Sequence, residues 1–274
     1  MIDLLRSDFI FTLGRNMDFN YRTNQLIAIM SLVVAAIGWI LIGKISSGLY
    51  VGSGVFLTWS LSRELDPKHD YSAFLAAAFS GLNLFYYETI QLLVIFWIIL
   101  LMRIVNGITG ESQTFFDLFS VLGLSIYLSF NNENSIYLLV YVLAMALILI
   151  NRQKSKKVLL ASGISLGLFI IETFFMGYLT FNRADYLSLV NVFSLVVLGL
   201  SFVLFWFLSK EKVEDDKGNP VKRYELLASQ FLFSAIILLL ILFSQLAINN
   251  LIIYLSVIVG VAIYFIGYKL IKRD

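Results

Sequence analysis

Cysteine is absent from this 274-residue chain, proline occurs twice and histidine once. Without cysteine there can be no disulfide, thiolate metal site or cysteine nucleophile. A single histidine excludes any site that needs two imidazoles, including the helical zinc-protease motif. Charge is scarce too. Asp, Glu, Lys and Arg make up 14% of the chain, whereas soluble domains carry about a quarter, too few here to cover a water-soluble globule of this length. A Gly-rich phosphate loop, a nucleophile elbow, a haem-type His pair and a nucleic-acid module are all missing, as is a lysine in mid-span that could carry retinal. The sequence therefore names no cofactor and no metal, and a nucleic-acid partner is not expected.

What the chain has in excess is apolar length: 59% of its residues are hydrophobic. A membrane-spanning helix takes roughly 20 such residues to cross about 30 Å of hydrocarbon. Windows of that kind occupy 25–43, 46–62, 71–86, 88–105, 114–130, 134–151, 157–181, 186–208, 225–247 and 250–271. Helices satisfy their own backbone in lipid, so the fold class expected is all-α, a polytopic bundle of about ten transmembrane helices in the cell membrane, with the lipid bilayer as its constant partner. The window 71–86 is short and rich in small residues, and a re-entrant hairpin is its alternative. Residues 25–271 form the bundle, and its one long charged connection is the loop 209–224, with Gly218-Asn219-Pro220 as a turn near the tip.

Basic residues assign the sides. With ten spans and a cytoplasmic N-terminus, eighteen of the 20 Lys and Arg fall in cytoplasmic segments and only Lys44 and Arg183 outside. A re-entrant 71–86 would invert everything after it and put the basic run 152–157 outside, against the positive-inside bias. Both termini are thus expected in the cytoplasm. Residues 1–24 precede the bundle. Wound as a helix, Met1–Leu13 sets Ile2, Leu5 and Phe9 opposite Asp3, Arg6 and Ser7, the pattern of an amphipathic segment lying on the inner surface. Its acid at position 3 does not suit a cleaved signal.

Two polar features break the apolar pattern. The first is Arg63-Glu64-Leu65-Asp66-Pro67-Lys68-His69-Asp70, between the second and third windows, which holds the only histidine. As chemistry, Glu64, Asp66 and Asp70 would supply oxygen ligands to a divalent cation, Arg63 and Lys68 charge, and His69 a proton carrier. As structure, Asp66-Pro67 is a turn and Asp70 caps the next helix. Ser62-Arg63 followed by His69 resembles part of the third signature of type 2 phosphatidic acid phosphatases, whose upstream segments the chain lacks. Asp66 and Asp70 share the spacing of intramembrane aromatic prenyltransferases, whose second acidic motif is replaced here by basic residues.

The second feature is Glu172, placed by the window 157–181 about three residues from mid-span. An ionised carboxylate there costs about 2.5–3.5 kcal/mol on insertion scales, so it should face protein or water. Ser165 falls in line with it on the helix wheel, with Ser162, Thr173 and Thr180 to the same side. The next window carries Asn191, Ser194 and Ser201. Glu172, Ser165 and Asn191 are the candidates for a substrate or proton site, with interhelical hydrogen bonding as the structural alternative. The pairs Gly48/Gly52 and Gly163/Gly167 are GxxxG spacings suited to close helix packing.

Three functions suit this pattern. A small secondary transporter or permease is the first expectation, and in size and span number the chain resembles the drug/metabolite transporter class. A membrane-embedded enzyme acting on a lipid head group at the cytoplasmic face, through Arg63, Glu64, Asp66, His69 and Asp70, is the second. A non-catalytic subunit of a membrane complex is the third.

Overall fold

Each of the ten hydrophobic windows contains one α-helix in a computed structural model of the chain, which describes residues 11–15, 17–86, 89–151, 155–179, 189–243 and 246–272. In chain order these are α1 (Arg22–Ile42), α2 (Ile45–Leu65), α3 (Asp70–Ser80), α4 (Leu92–Asn106), α5 (Phe115–Asn131), α6 (Ile136–Asn151), α7 (Lys156–Ile171), α8 (Leu189–Leu208), α9 (Arg223–Phe243) and α10 (Ile248–Ile271). α3 runs into a 3₁₀ turn, Gly81–Phe85, and α7 into a π turn, Glu172–Met176. No strand occurs among the described residues, only an isolated bridge between Glu214 and Pro220.

Among the described residues, five helices are long and apolar enough to cross a membrane: α1, α7 with its π turn, α8, α9 and α10. α4, α5 and α6 are apolar but shorter, at 15, 17 and 16 residues. α3 has 11 residues, about 16 Å of rise, and its 3₁₀ turn adds about 10 Å, so the two together reach about the length of α4, α5 or α6. Large apolar side chains point outward, among them Leu32 at 68%, Ile40 at 78% and Leu200 at 64% exposure. Faces of that size and character suit lipid and not water.

Local chemistry sets the helix ends. α1 closes on Gly43, whose φ of +75° is a left-handed cap that a side chain resists. α2 stops at Leu65 because Pro67 disfavours helical geometry at Asp66, which adopts φ −128°, ψ 75°. α5 opens with a capping box: Thr114 accepts from the Asp117 N–H, and Asp117 accepts from the Thr114 N–H.

The chain divides into two compact units. The first comprises residues 16–96, 193–211 and 246–274, hence α1, α2, α3, most of α8 and α10. Its helices touch through small residues. A Cβ on Gly48 would lie 2.3 Å from the Ala35 carbonyl oxygen, and one on Gly52 2.6 Å from that of Ser31, so this GxxxG pair presses α2 on α1. Gly260 brings α10 onto α3, where a Cβ would come within 2.5 Å of the Ala76 nitrogen. The small residues of 71–86 are thus a packing surface, with Ala73, Ala76 and Ala77 fully buried.

The second unit comprises residues 1–15, 97–192 and 212–245, including most of α4 with α5, α6, α7 and α9. α4 is apolar up to Arg103, whose guanidinium donates to the Leu13 carbonyl at 2.9 Å, and it is buried from Trp97 to Val105. Trp97 is a core residue: its Nε1–H donates to Ser125 Oγ at 2.9 Å and its ring meets Tyr137 edge-on. The charged loop 209–224 is not a free excursion. From Val213 to Val221 it doubles back, with the Val221 N–H on the Val213 carbonyl and Gly218 turning at φ +81°. Asp216 N–H donates to the Ile108 carbonyl at 2.9 Å, Lys217 pairs with Glu111 at 2.8 Å and Arg15 with Asp216 at 2.5 Å. Most of the amphipathic stretch Met1–Leu13 lies outside the described residues. Its last residues are docked: the Thr12 N–H and hydroxyl both donate to the buried Asp117 carboxylate, at 2.7 and 2.6 Å.

Candidate functional site

The turn between α2 and α3 gathers the loop's reactive side chains in pairs and not around one point. α2 ends early because of Pro67, so Asp66 and His69 face each other across two residues. His69 Nδ1 lies 2.9 Å from Asp66 Oδ1 and 3.2 Å from Oδ2. A carboxylate only accepts, so Nδ1 carries the hydrogen and donates, which leaves Nε2 as the ring's acceptor. Both residues are buried, Asp66 at 1% and His69 at 7% exposure, and Nε2 has no hydrogen-bond partner. Ser72 fixes the backbone of this corner, its Oγ–H and N–H donating to the His69 carbonyl at 2.7 and 3.1 Å.

Arg63 and Asp70 form a second pair at 3.1 Å, with the guanidinium carbon 5.1 Å from the centre of the Trp59 ring. Asp70 is therefore the first residue of α3 and an ion-pair partner. The cap position falls to His69, and no side chain caps that helix end. Glu64 is fully buried in the last turn of α2. Among the described residues no three His, Asp or Glu side chains converge as a metal site, so the divalent-cation reading of Glu64, Asp66 and Asp70 has no ligand cluster behind it. Three further donors on the same helical turns, Trp59 Nε1–H, the Ser62 hydroxyl and Arg63 Nε–H, are buried without a partner.

Residues far along the chain complete this corner. α10 lays Tyr264 and Tyr268 against the His69 ring, with centroids 5.4 and 4.8 Å away, and Lys272 Nζ donates to the Tyr268 hydroxyl at 2.7 Å. Glu211, just after α8, accepts from Lys269 at 2.5 Å and Lys68 at 2.6 Å. Hydrogen bonds from Lys269 and Lys68 pull its carboxyl down to about 2. Sequence reading missed Tyr264, Tyr268 and Glu211. One signal was available: Tyr264, Tyr268 and Lys272 recur every four residues, the spacing of one helix face.

The second candidate set is less concentrated. α7 loses α-helical geometry after Ile171, so Glu172 sits near the C-terminal end of its helix and not within three residues of the middle. Its side chain is buried at 1% exposure. Oε2 is in hydrogen-bond contact with the Ser129 hydroxyl of α5, and Oε1 has no partner. Ser165 shares the buried face of α7, but its hydroxyl donates to the Leu138 carbonyl at 3.0 Å, an interhelical bond and not a link to Glu172. Thr173 pairs with Ser135 at 2.9 Å. Asn191 is half-buried at the start of α8, the buried Ser201 turns back on the Leu198 carbonyl of its own helix, and Thr180 lies outside the described residues. Sequence reading also missed Ser129, although Ser125 and Ser129 are spaced four apart in a mostly apolar helix.

No family model, no curated protein and no solved structure matches the chain.

Proposed function

We propose that this chain is a membrane-embedded enzyme that performs acid–base chemistry on a lipid head group, with His69 as the proton acceptor. The observation that carries this reading is the buried Asp66–His69 pair whose distal nitrogen is left without a protein partner. A carboxylate on Nδ1 sets the tautomer and orientation of the ring, which is how a general base is prepared. Arg63, Lys68, Lys269 and Lys272 lie on the same turn and on the end of α10, and would draw an anionic head group to it. Tyr264 and Tyr268 offer hydroxyls beside the imidazole.

The same reading places this corner at the cytoplasmic interface of a ten-span protein of the cell membrane, with both termini inside. Its support is the concentration of Lys and Arg in alternate connections.

Purified protein reconstituted in mixed phospholipid vesicles tests the reading, with head-group products followed by mass spectrometry. Wild-type protein is expected to convert one lipid class. His69→Gln should slow that conversion by about 10²–10⁴-fold, the usual worth of a general base. Unchanged lipids with the wild type, or equal rates with His69→Gln, would overturn it.

Transport, the first expectation from sequence, keeps one specific observation in its favour. Glu172 is a buried acid with one oxygen unpartnered, at a π turn, and such turns are frequent at functional sites. Uptake or efflux abolished by Glu172→Gln and untouched by His69→Gln would favour that reading.

A further inference from the structure

Hydrogen-bond accounting around Glu172 leads beyond the head-group reading, which makes no use of this residue. Ser129 Oγ lies 2.9 Å from the Asn134 carbonyl oxygen and is also in contact with Glu172 Oε2. A serine hydroxyl owns one hydrogen, a backbone carbonyl can only accept, and an ionised carboxylate can only accept. If Glu172 were ionised, Ser129 could serve one of the two oxygens, and the other would face it without a hydrogen between them. If Glu172 carries a proton on Oε2, every contact is satisfied in sequence: Glu172 donates to Ser129, and Ser129 donates to Asn134.

The surroundings argue the same way. A buried charge needs a counter-charge or several donors, and Glu172 has one hydroxyl. Between Ile104 and Asn151, which covers α5, α6 and the turn joining them, the chain contains no Lys, Arg or His. The charged groups there are Glu111, ahead of α5 and paired with Lys217, Asp117 at the far end of α5 and the exposed Glu133 in the turn, all three of the wrong sign. Tyr137 on α6 packs against Trp97, and Tyr178, beyond the π turn, packs against Phe130. On α7 itself, Lys156 and Lys157 stand at the opposite end, about 22 Å away at 1.5 Å per residue. Arg223 and Glu225 begin α9, whereas it is the α9 terminus, at the Phe243 carbonyl, that meets Asn134. Arg183 and Asp185 lie outside the described residues. Glu172 is also the C-cap of α7, where the negative end of the helix dipole repels an anion.

We infer that Glu172 with Ser129 and the Asn134 carbonyl is a proton-binding site, the carboxylic acid being held neutral as a donor. Oε1 is then the carbonyl oxygen of the acid, which is why it stands unpartnered at no charge penalty. Releasing the proton requires a donor or cation to reach that oxygen, so deprotonation is tied to movement of the π turn or of residues 132–135.

Infrared difference spectroscopy of the full-length protein in lipid tests this at neutral pH. The wild-type minus Glu172→Gln spectrum should contain the carbonyl stretch of a neutral carboxylic acid, shifted in heavy water, with no matching loss of carboxylate bands. Ser129→Ala, which removes the acceptor and keeps the acid, should move that band and not abolish it. A hydrophobic carbodiimide, which reacts with the protonated acid, should modify Glu172 in the wild type and leave the exposed Glu111 untouched. A difference spectrum showing only carboxylate bands overturns the inference, whatever the lipid-conversion assay finds, and a neutral-acid band supports it even if no lipid is converted.

Discussion

His69 owes its orientation to one neighbour, since Asp66 occupies Nδ1 and the tyrosines of α10 supply contact and no second bond to the ring. In Asp66→Asn the amide can donate to Nδ1 and so reverse the tautomer, leaving hydrogen on Nε2 where a base needs a lone pair. Head-group turnover in vesicles should fall by about 10²-fold or more while the melting temperature in detergent changes little. Glu211 makes a pH-dependent contribution of known sign. Its folded value, about 2, lies below the ordinary 4.5 because Lys269 and Lys68 bond to the ionised form. A depressed carboxyl contributes stability that is complete above the unfolded value and is lost as acid takes the pH down through the folded one. Thermal melts should therefore show a loss between about pH 4.5 and 2 that is smaller in Glu211→Gln. None of these pairings was legible along the chain. Asp66 and His69 could be seen as neighbours, but Glu211 meets a lysine 143 positions earlier and another 58 later, and periodicity carries no information on such distances.

Helix contacts show how far a pattern reads. Gly48/Gly52 and Gly163/Gly167 have the same spacing, yet the first pair is pressed against α1 and the second has no atom within 4 Å of a built Cβ. Substitutions should separate them. Gly52→Val, like Gly260→Val, forces a side chain into backbone at 2.6 or 2.5 Å and should cost at least about 1–3 kcal/mol, the range for overpacking, read as a lower melting temperature. Gly163→Ala meets open space and should be neutral or stabilising by about 0.5–1 kcal/mol, the helix-interior difference between the two residues. α5 offers a related test: Thr114→Ala removes the capping box and should cost about 1 kcal/mol. Its Asp117 also holds Thr12, which links the N-terminal segment to this helix. Among the described residues, sequence pattern set one window over each helix with most ends within a few residues, but the window 157–181 runs well past Ile171, where α7 ends. It overestimated α3, because eleven helical residues followed by a 3₁₀ turn have the same composition as a longer helix.

For the whole molecule, the proposed ten-span arrangement can be tested directly because the chain has no cysteine. Single cysteines at Glu133 and Lys217 are expected on opposite sides of the membrane. A membrane-impermeant thiol reagent applied to intact cells should modify the Glu133→Cys protein and reach the Lys217→Cys protein only after permeabilisation. The reverse result, or labelling of both from outside, would refute the threading. Lys217 is a demanding probe, since it pairs with Glu111 and belongs to the doubled-back segment bound to the Ile108 carbonyl, so its side reports that of both connections.

Composition and periodicity alone determined that this is a helical chain with membrane-grade apolar length, roughly where each helix lies, and which polar residues are out of place. Those properties are local: each depends on residues within a few turns and on their transfer free energy. The tertiary structure decided which polar groups meet. It joined His69 to Asp66 beneath two tyrosines of the last helix, and it moved Glu172 from the expected mid-span position to a helix end beside Ser129. Side chains tens to hundreds of residues apart are brought within 3 Å only by how helices pack, and that follows from small residues at contacts whose partners no single stretch of sequence specifies.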